Sequence, residues 1–355
     1  MSANPPLLRN ILDQTDALQA VASHQFGEGR GALTGVSRLL RLSRRIVLTG
    51  MGGSFAACIP LSYFFAGRGI PVSVVETSEL LYFHTSTLNA ETAVVLVSRS
   101  GESVEATRLL PILRQSGCRV AGVTNVPAST LASQVEETIL LGSPPDELVA
   151  IQTYTATVVA LLLLGAAYFD ELDSVQPELD ATIGILSRWI PECFRRSAGW
   201  NEFFVQSSPL YLLARGASLA SATLGALLSH EVAKTPAVSM SAAQFRHGPV
   251  EVAGEQFRAI VFGSEARTAE LDAALANDLL KTKSNVRWIG PRRANSSVEP
   301  LCPWPEGVPD RFAPVLEIVP LQFAAFQLAQ SRGIPLGRFR FAPAITLSET
   351  GFADA

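Results

Sequence analysis

Glu231 and His247 are the two residues whose types and spacing best suit proton chemistry in this chain. A carboxylate and an imidazole are the usual side chains for moving protons near neutral pH. Glu231 closes an apolar helical run that begins at Leu219. A loop-like segment of small residues follows, and it ends at His247, held by Gly248-Pro249. The chain has only 4 histidines, so one beside a rigid turn calls for a reason. Residue types alone leave two readings open: a capped helix end with a surface loop, or a proton-transferring pair.

Two further segments have the chemistry of phosphate binding. Gly52-Gly53-Ser54 lies between an apolar strand and a helix, and Ser98-Arg99-Ser100-Gly101-Glu102-Ser103 lies at a later junction of the same kind. Small residues let backbone N–H groups approach an anion, and a helix N-terminus favours negative charge. Ligands of a doubly wound sheet bind outside the carboxyl ends of its strands, where both loops would lie. The second loop adds three hydroxyls in six residues. A dinucleotide site is the competing reading, since Gly50, Gly52 and Gly53 follow a strand and Glu76 ends the next. The third glycine of that fingerprint is missing, because Ala56 and Ala57 stand in its neighbourhood. That reading also leaves the serine loop unexplained.

The elements around these loops alternate between short apolar strands and helices. Strands are predicted over 45–50, 72–76, 92–97, 120–124 and 137–141. A second set is predicted over 209–214, 256–262, 285–290 and 316–320. Uniformly apolar strands separated by helices indicate a parallel sheet covered on both faces. The two sets line up: Gly52-Gly53-Ser54-Phe55-Ala56 with Gly216-Ala217-Ser218-Leu219-Ala220, and Ser98 with Ser264. An internal duplication follows, with the second loop set read as its relic. The predicted organisation is a helical arm over 1–40, domains over 41–185 and 186–336 joined by a helical linker (170–198), and a tail over 337–355.

Composition bounds the rest. The 355 residues suffice for two domains with substantial cores. A net charge of −4 and the lack of a basic run argue against a nucleic-acid partner. Cys58, Cys118, Cys193 and Cys302 are scattered without zinc-ligand spacing, so reduced buried thiols and a cytoplasmic location are expected. The N-terminus lacks a signal-peptide pattern, and the longest apolar run, 156–169, is too short to span a membrane. Lysine occurs only at Lys234, Lys281 and Lys283, which restricts imine chemistry to three positions. His24 is placed on the helical arm, His84 on the surface, and His230 beside Glu231 as either its orienter or a helix cap.

These residues resemble the double sugar-isomerase-domain (SIS) family, which includes the isomerase half of glucosamine-6-phosphate synthase and bacterial aminosugar-phosphate deaminases and deglycases. The resemblance runs over nearly the whole chain. It rests on Gly52-Gly53-Ser54-Phe55, Ser78-Glu79, Ser98-Arg99-Ser100-Gly101-Glu102-Ser103, Ser129-Thr130-Leu131-Ala132, Arg215-Gly216 and Arg246-His247-Gly248-Pro249, with His247 16 positions after Glu231. It implies two tandem flavodoxin-like (SIS) domains, each a parallel five-stranded sheet between helices. It implies that Gly53, Ser54, Ser98, Arg99, Ser100 and Ser103 grip a sugar phosphate and that Val149 borders the sugar. Glu231 would shuttle a proton between C1 and C2, and His247 would open the ring from a partner subunit of a homodimer. No metal or organic cofactor is implied, and the tail would lie over the active site.

The departures are specific. Pro343 stands where the synthase has an essential tail lysine, and no lysine lies beyond Lys283. Leu228 and Thr153 stand where that enzyme has lysines, and Leu224, Val238 and Gln244 where it has acids. Residue 2 is Ser rather than the Cys that begins a glutaminase domain, so no glutaminase activity is expected. The expectation is an isomerase, deaminase or deglycase acting on a phosphorylated amino sugar or sugar–amine adduct. The alternative is a non-catalytic phosphosugar-binding regulator.

Overall fold

A computed structural model describes residues 4–205, 208–336 and 338–351. It divides into two compact units: Asp13–Asp180 with Arg338–Ala355, and Met1–Leu12 with Ala181–Gly337. Gly337, where the tail is expected to begin, lies outside the described residues, as do the last four.

The N-terminal arm is three helices: α1 (Pro6–Leu12), which belongs to the second unit, and α2 (Gln14–Phe26) and α3 (Arg30–Arg41), which belong to the first. The first unit continues as β1 (Arg45–Gly50), α4 (Gly53–Ala66), β2 (Val72–Glu76), the short α5 (Thr77–Glu79), β3 (Thr92–Val97), α6 (Val104–Ser116), β4 (Arg119–Thr124), α7 (Thr130–Gln134), β5 (Glu137–Leu140) and α8 (Gln152–Tyr168). Its five parallel strands run in the order β2-β1-β3-β4-β5. All six residues of β3 are buried, as a central strand covered on both faces requires. One face carries Val94, Leu96, Leu109, Leu113 and Leu131. Helices α4, α2 and α3 pack on α8, whose leucines 161–164 are all buried; each such burial contributes about 1.5–3 kcal/mol. Gly165 permits the α4–α8 approach, because a Cβ there would lie 2.8 Å from Phe64.

Helix α9 (Leu172–Ser197) carries the chain from the first unit into the second. There α10 (Asn201–Phe204), β6 (Leu210–Ala214), α11 (Leu219–Glu231), β7 (Ala237–Ser241), α12 (Ala242–Phe245), β8 (Arg258–Phe262), α13 (Ala269–Lys281), β9 (Asn285–Ile289) and α14 (Ala313–Ser331) follow. Four parallel strands run β7-β6-β8-β9, the same relative order as the first four of the other sheet.

Three expectations are corrected here. The second sheet has four strands among the described residues, not five. Residues 316–320, expected as a strand, lie inside α14. A short apolar run fits a buried strand and a buried helix equally; here the run extends on both sides and every residue from Ala313 to Phe326 is buried. The fifth strand position holds only a single bridge, Trp288 with Pro300, and Pro300 has no N–H with which to extend a ladder. Finally, part of the segment between Glu231 and His247, expected as a loop, forms the edge strand β7 on β6. Its residues, Ala-Val-Ser-Met-Ser, lack the dense apolar signature of a central strand.

The 22 residues Asp310–Ser331 are apolar and long enough to cross a membrane, but 94% of the most apolar window is buried inside the protein. Such burial identifies a core helix.

Candidate functional site

The loop after β1 turns on Gly52, whose φ of 52° and ψ of −122° are reached readily only by glycine. It delivers Gly53 and Ser54, both half-buried, to the N-terminus of the 14-residue α4. Ser54 N–H donates to Met51 O at 3.0 Å and Ala56 N–H to Gly52 O at 3.1 Å, which fixes the turn.

The loop after β3 is more tightly built. Ser98 is buried; its Oγ accepts from Gly101 N–H at 3.1 Å and lies 3.3 Å from Ser103 Oγ. Ser100 Oγ accepts from Glu102 N–H at 3.2 Å. Gly101 has φ 68°, and a Cβ there would lie 2.3 Å from Ser129 Oγ. Outer bonds hold this turn in place. The Arg99 carbonyl accepts from Asn125 N–H at 3.0 Å and from Thr124 Oγ1 at 3.1 Å. The Glu102 carboxylate accepts from Thr130 N–H at 2.6 Å and Thr130 Oγ1 at 2.8 Å. Ser103 occupies the N-cap position of the 13-residue α6 without a side-chain capping bond, so its hydroxyl stands at that helix N-terminus.

Arg99 reaches away from its own loop. Its guanidinium donates to Leu148 O at 3.3 Å and to Ala344 O at 3.5 Å. Leu148 adjoins the buried Val149, so Arg99 ties the serine loop to the segment that carries Val149. Asp146 anchors that segment at the start of α8, accepting from the N–H groups of Ile151 (3.0 Å), Gln152 (2.9 Å) and Thr153 (3.0 Å) and from the Thr153 hydroxyl. Five of the expected phosphate and sugar residues, Ser98, Arg99, Ser100, Ser103 and Val149, are thus joined in one bonded arrangement within the first unit.

The tail lies on the same arrangement. Val104 N–H, the first free donor of α6, donates to Thr346 O at 3.0 Å. Glu349 accepts from Tyr82 Oη and from Arg108 Nη1. The hydrogen bond to Glu349 holds the Tyr82 hydroxyl above its ordinary pKa. Asp146, Glu102, Tyr82 and Glu349 were not singled out from the sequence. Only the Glu102 position within a serine-rich motif offered a signal.

Glu231 and His247 belong to the second unit. Glu231 is the last residue of α11 and is half-buried. His230 Nε2 accepts from Ala237 N–H at 3.0 Å, which ties the end of α11 to the start of β7. His247 is exposed after α12; its N–H donates to Gln244 O at 3.0 Å, and Gly248 follows with φ 120°. The two leave opposite faces of the sheet. On β6, Leu212 faces α11, because a Cβ on Gly225 would come within 3.0 Å of it. Its neighbour Leu213 joins the core formed with Ala242 and Phe245 of α12 and with α13. Successive strand residues point to opposite faces, so α11 and α12 cover different sides. Of the other two histidines, His24 lies on α2 and bonds Glu28 at 2.9 Å, and His84 is exposed.

Residues 39–169 match the family model for the SIS domain. Over 332 residues, 92% of the chain, the sequence is 25% identical to the glutamine–fructose-6-phosphate aminotransferase (isomerizing) of Pyrococcus horikoshii, covering 55% of that protein. The chain therefore spans about half the length of the curated relatives it matches. The C-terminal domain of the glucosamine-fructose-6-phosphate aminotransferase of Francisella tularensis has a similar fold, with a TM-score of 0.81 at 17% identity, covering 94% of this chain and 98% of that one. The glucosamine-6-phosphate deaminase of Thermotoga maritima aligns with a TM-score of 0.73 at 17% identity, covering 93% of this chain and 96% of that one.

Proposed function

We propose that this protein processes a phosphorylated amino sugar or a sugar–amine adduct as an isomerase, deaminase or deglycase. The phosphate is held by the backbone and hydroxyl groups of Gly53, Ser54, Ser98, Arg99, Ser100 and Ser103, with Val149 bordering the sugar. The observation that carries this reading is the loop after β3. Its hydroxyls and N–H groups are fixed before any ligand arrives, which limits the ordering cost of binding an oxyanion. Similarity to proteins named for glucosamine 6-phosphate and fructose 6-phosphate chemistry supports the substrate class.

Glu231 acts as the base that moves a proton between C1 and C2, and His247 delivers a proton to the ring oxygen on opening. The substrate brings its own amine, because the sequence has lysine only at 234, 281 and 283. The opposite-face placement of Glu231 and His247 supports a homodimer in which each chain lends His247 to its partner. The assay is deuterium uptake at C2 of glucosamine 6-phosphate and at C1 of fructose 6-phosphate in deuterated water. Uptake that is lost in Glu231→Gln is expected; tight binding of these sugars without any exchange refutes catalysis.

That second outcome belongs to a phosphosugar-binding regulator. One observation favours it: a tail carbonyl already takes the Val104 N–H at the serine loop, and Pro343 stands where the resemblance would put a lysine.

A further inference from the structure

The second unit repeats the loop geometry of the first, with one difference. Gly216 follows β6 with φ 57°, as Gly52 follows β1 with φ 52°. Ser218 stands where Ser54 stands, and Ser264 follows β8 as Ser98 follows β3. In the first unit Gly53 and Ser54 remain partly accessible, whereas Ser218 and Ser221 are buried and Ser264 is 9% exposed. A fully buried carboxyl group fills the second set. Glu317 of α14 accepts from Ser218 Oγ at 2.6 Å on one oxygen and from Ser221 Oγ at 2.8 Å on the other. The Ser264 hydroxyl, buried without a partner of good geometry, faces the same group. Burial pushes the Glu317 carboxyl up in pKa, and the three serines pull it back. A buried carboxyl is costly unless its oxygens are bonded. Glu317 is the only charged residue of α14, and a buried helix face is an unfavourable place for one unless a site receives it.

We infer that the loops after β6 and β8 form a second carboxyl-binding cradle, which the chain occupies with its own Glu317, so that these two loops offer no open ligand site. The cradle is specific for a small carboxyl ligand and accepts one from solution only when Glu317 is removed. This does not depend on the sugar-phosphate reading of the first unit.

The test uses Glu317→Ala, Glu317→Gln and the unaltered full chain at pH 6, with sodium propionate as the probe and propionamide as its neutral counterpart. A ligand that binds only the folded state multiplies the folding equilibrium constant by 1 + [L]/Kd, about tenfold at nine times Kd. Expected is a saturable rise in the unfolding midpoint of Glu317→Ala with propionate, with no comparable rise for propionamide. Neither Glu317→Gln nor the unaltered chain should respond. If Glu317→Ala is isolated unfolded, refolding in graded propionate reads the same equilibrium, and recovery of the folded signal is expected. Absence of rescue in both formats overturns the proposal. Equal rescue by propionamide also overturns it, since that marks simple cavity filling.

Discussion

Gly101→Ala tests whether the serine loop is held as rigidly as its bonds imply. At φ 68° an alanine is in the left-handed region, which costs about 1–2 kcal/mol. Its Cβ would also sit 2.3 Å from Ser129 Oγ, 2.5 Å from Ser129 Cβ and 3.2 Å from Leu131 Cβ. Relieving overlaps of that size in a packed site costs roughly a further 1–3 kcal/mol. The expected loss of stability is therefore about 2–5 kcal/mol, read by denaturant unfolding. Ser129→Gly removes the obstructing side chain, and because glycine is tolerated as a helix cap its own cost is a few tenths of a kcal/mol. The double variant should recover the steric part and keep the backbone part, giving a coupling of about 1–3 kcal/mol. Strict additivity, or a Gly101→Ala cost under about 0.5 kcal/mol, refutes the account of why glycine is required there.

Four other outcomes follow from the same structure. Ser103→Ala should weaken glucosamine 6-phosphate binding roughly tenfold by calorimetric titration, the worth of one hydrogen bond to a charged group; unchanged affinity removes Ser103 from the site. Asp146→Ala should cost about 1–2 kcal/mol in denaturant stability, because three N–H groups at the start of α8 lose their acceptor; a neutral result refutes its anchoring role. Glu349→Gln or Arg108→Ala should speed tryptic cleavage at Arg338 and Arg340 several-fold, since the tail loses its charged contact; equal rates show that the contact does not hold the tail. Glu317 has a folded-state pKa above its ordinary 4.5, so the folded state keeps that proton longer. Its contribution is full below pH 4.5 and is lost as pH rises through the folded value. Relative to Glu317→Gln, the unaltered chain should lose stability over that interval in pH-dependent unfolding, and a flat difference refutes the shift.

The strand–loop–helix alternation was legible in the sequence because parallel strands buried on both faces must be apolar runs, and their ends must turn through small residues. Val94, Leu96, Gly52 and Gly216 carry that signal locally, so eight of the nine strands among the described residues and both glycine turns could be placed from the chain alone. Edge strand β7 escaped because a strand covered on one side tolerates Ala and Ser. Residues 316–320 misled because length and surroundings, not composition, separate a buried helix from a buried strand. The candidate site divides in the same way. Ser98, Ser100 and Ser103 lie within six residues, so their clustering is visible in sequence. Which groups hold them is not: Glu102 meets Thr130, Arg99 meets Leu148 and Ala344, and Ser218 meets Glu317 across 99 positions. No local pattern marks such partners, because a side-chain bond depends on where two distant backbones are brought together, and only the packed tertiary structure decides that.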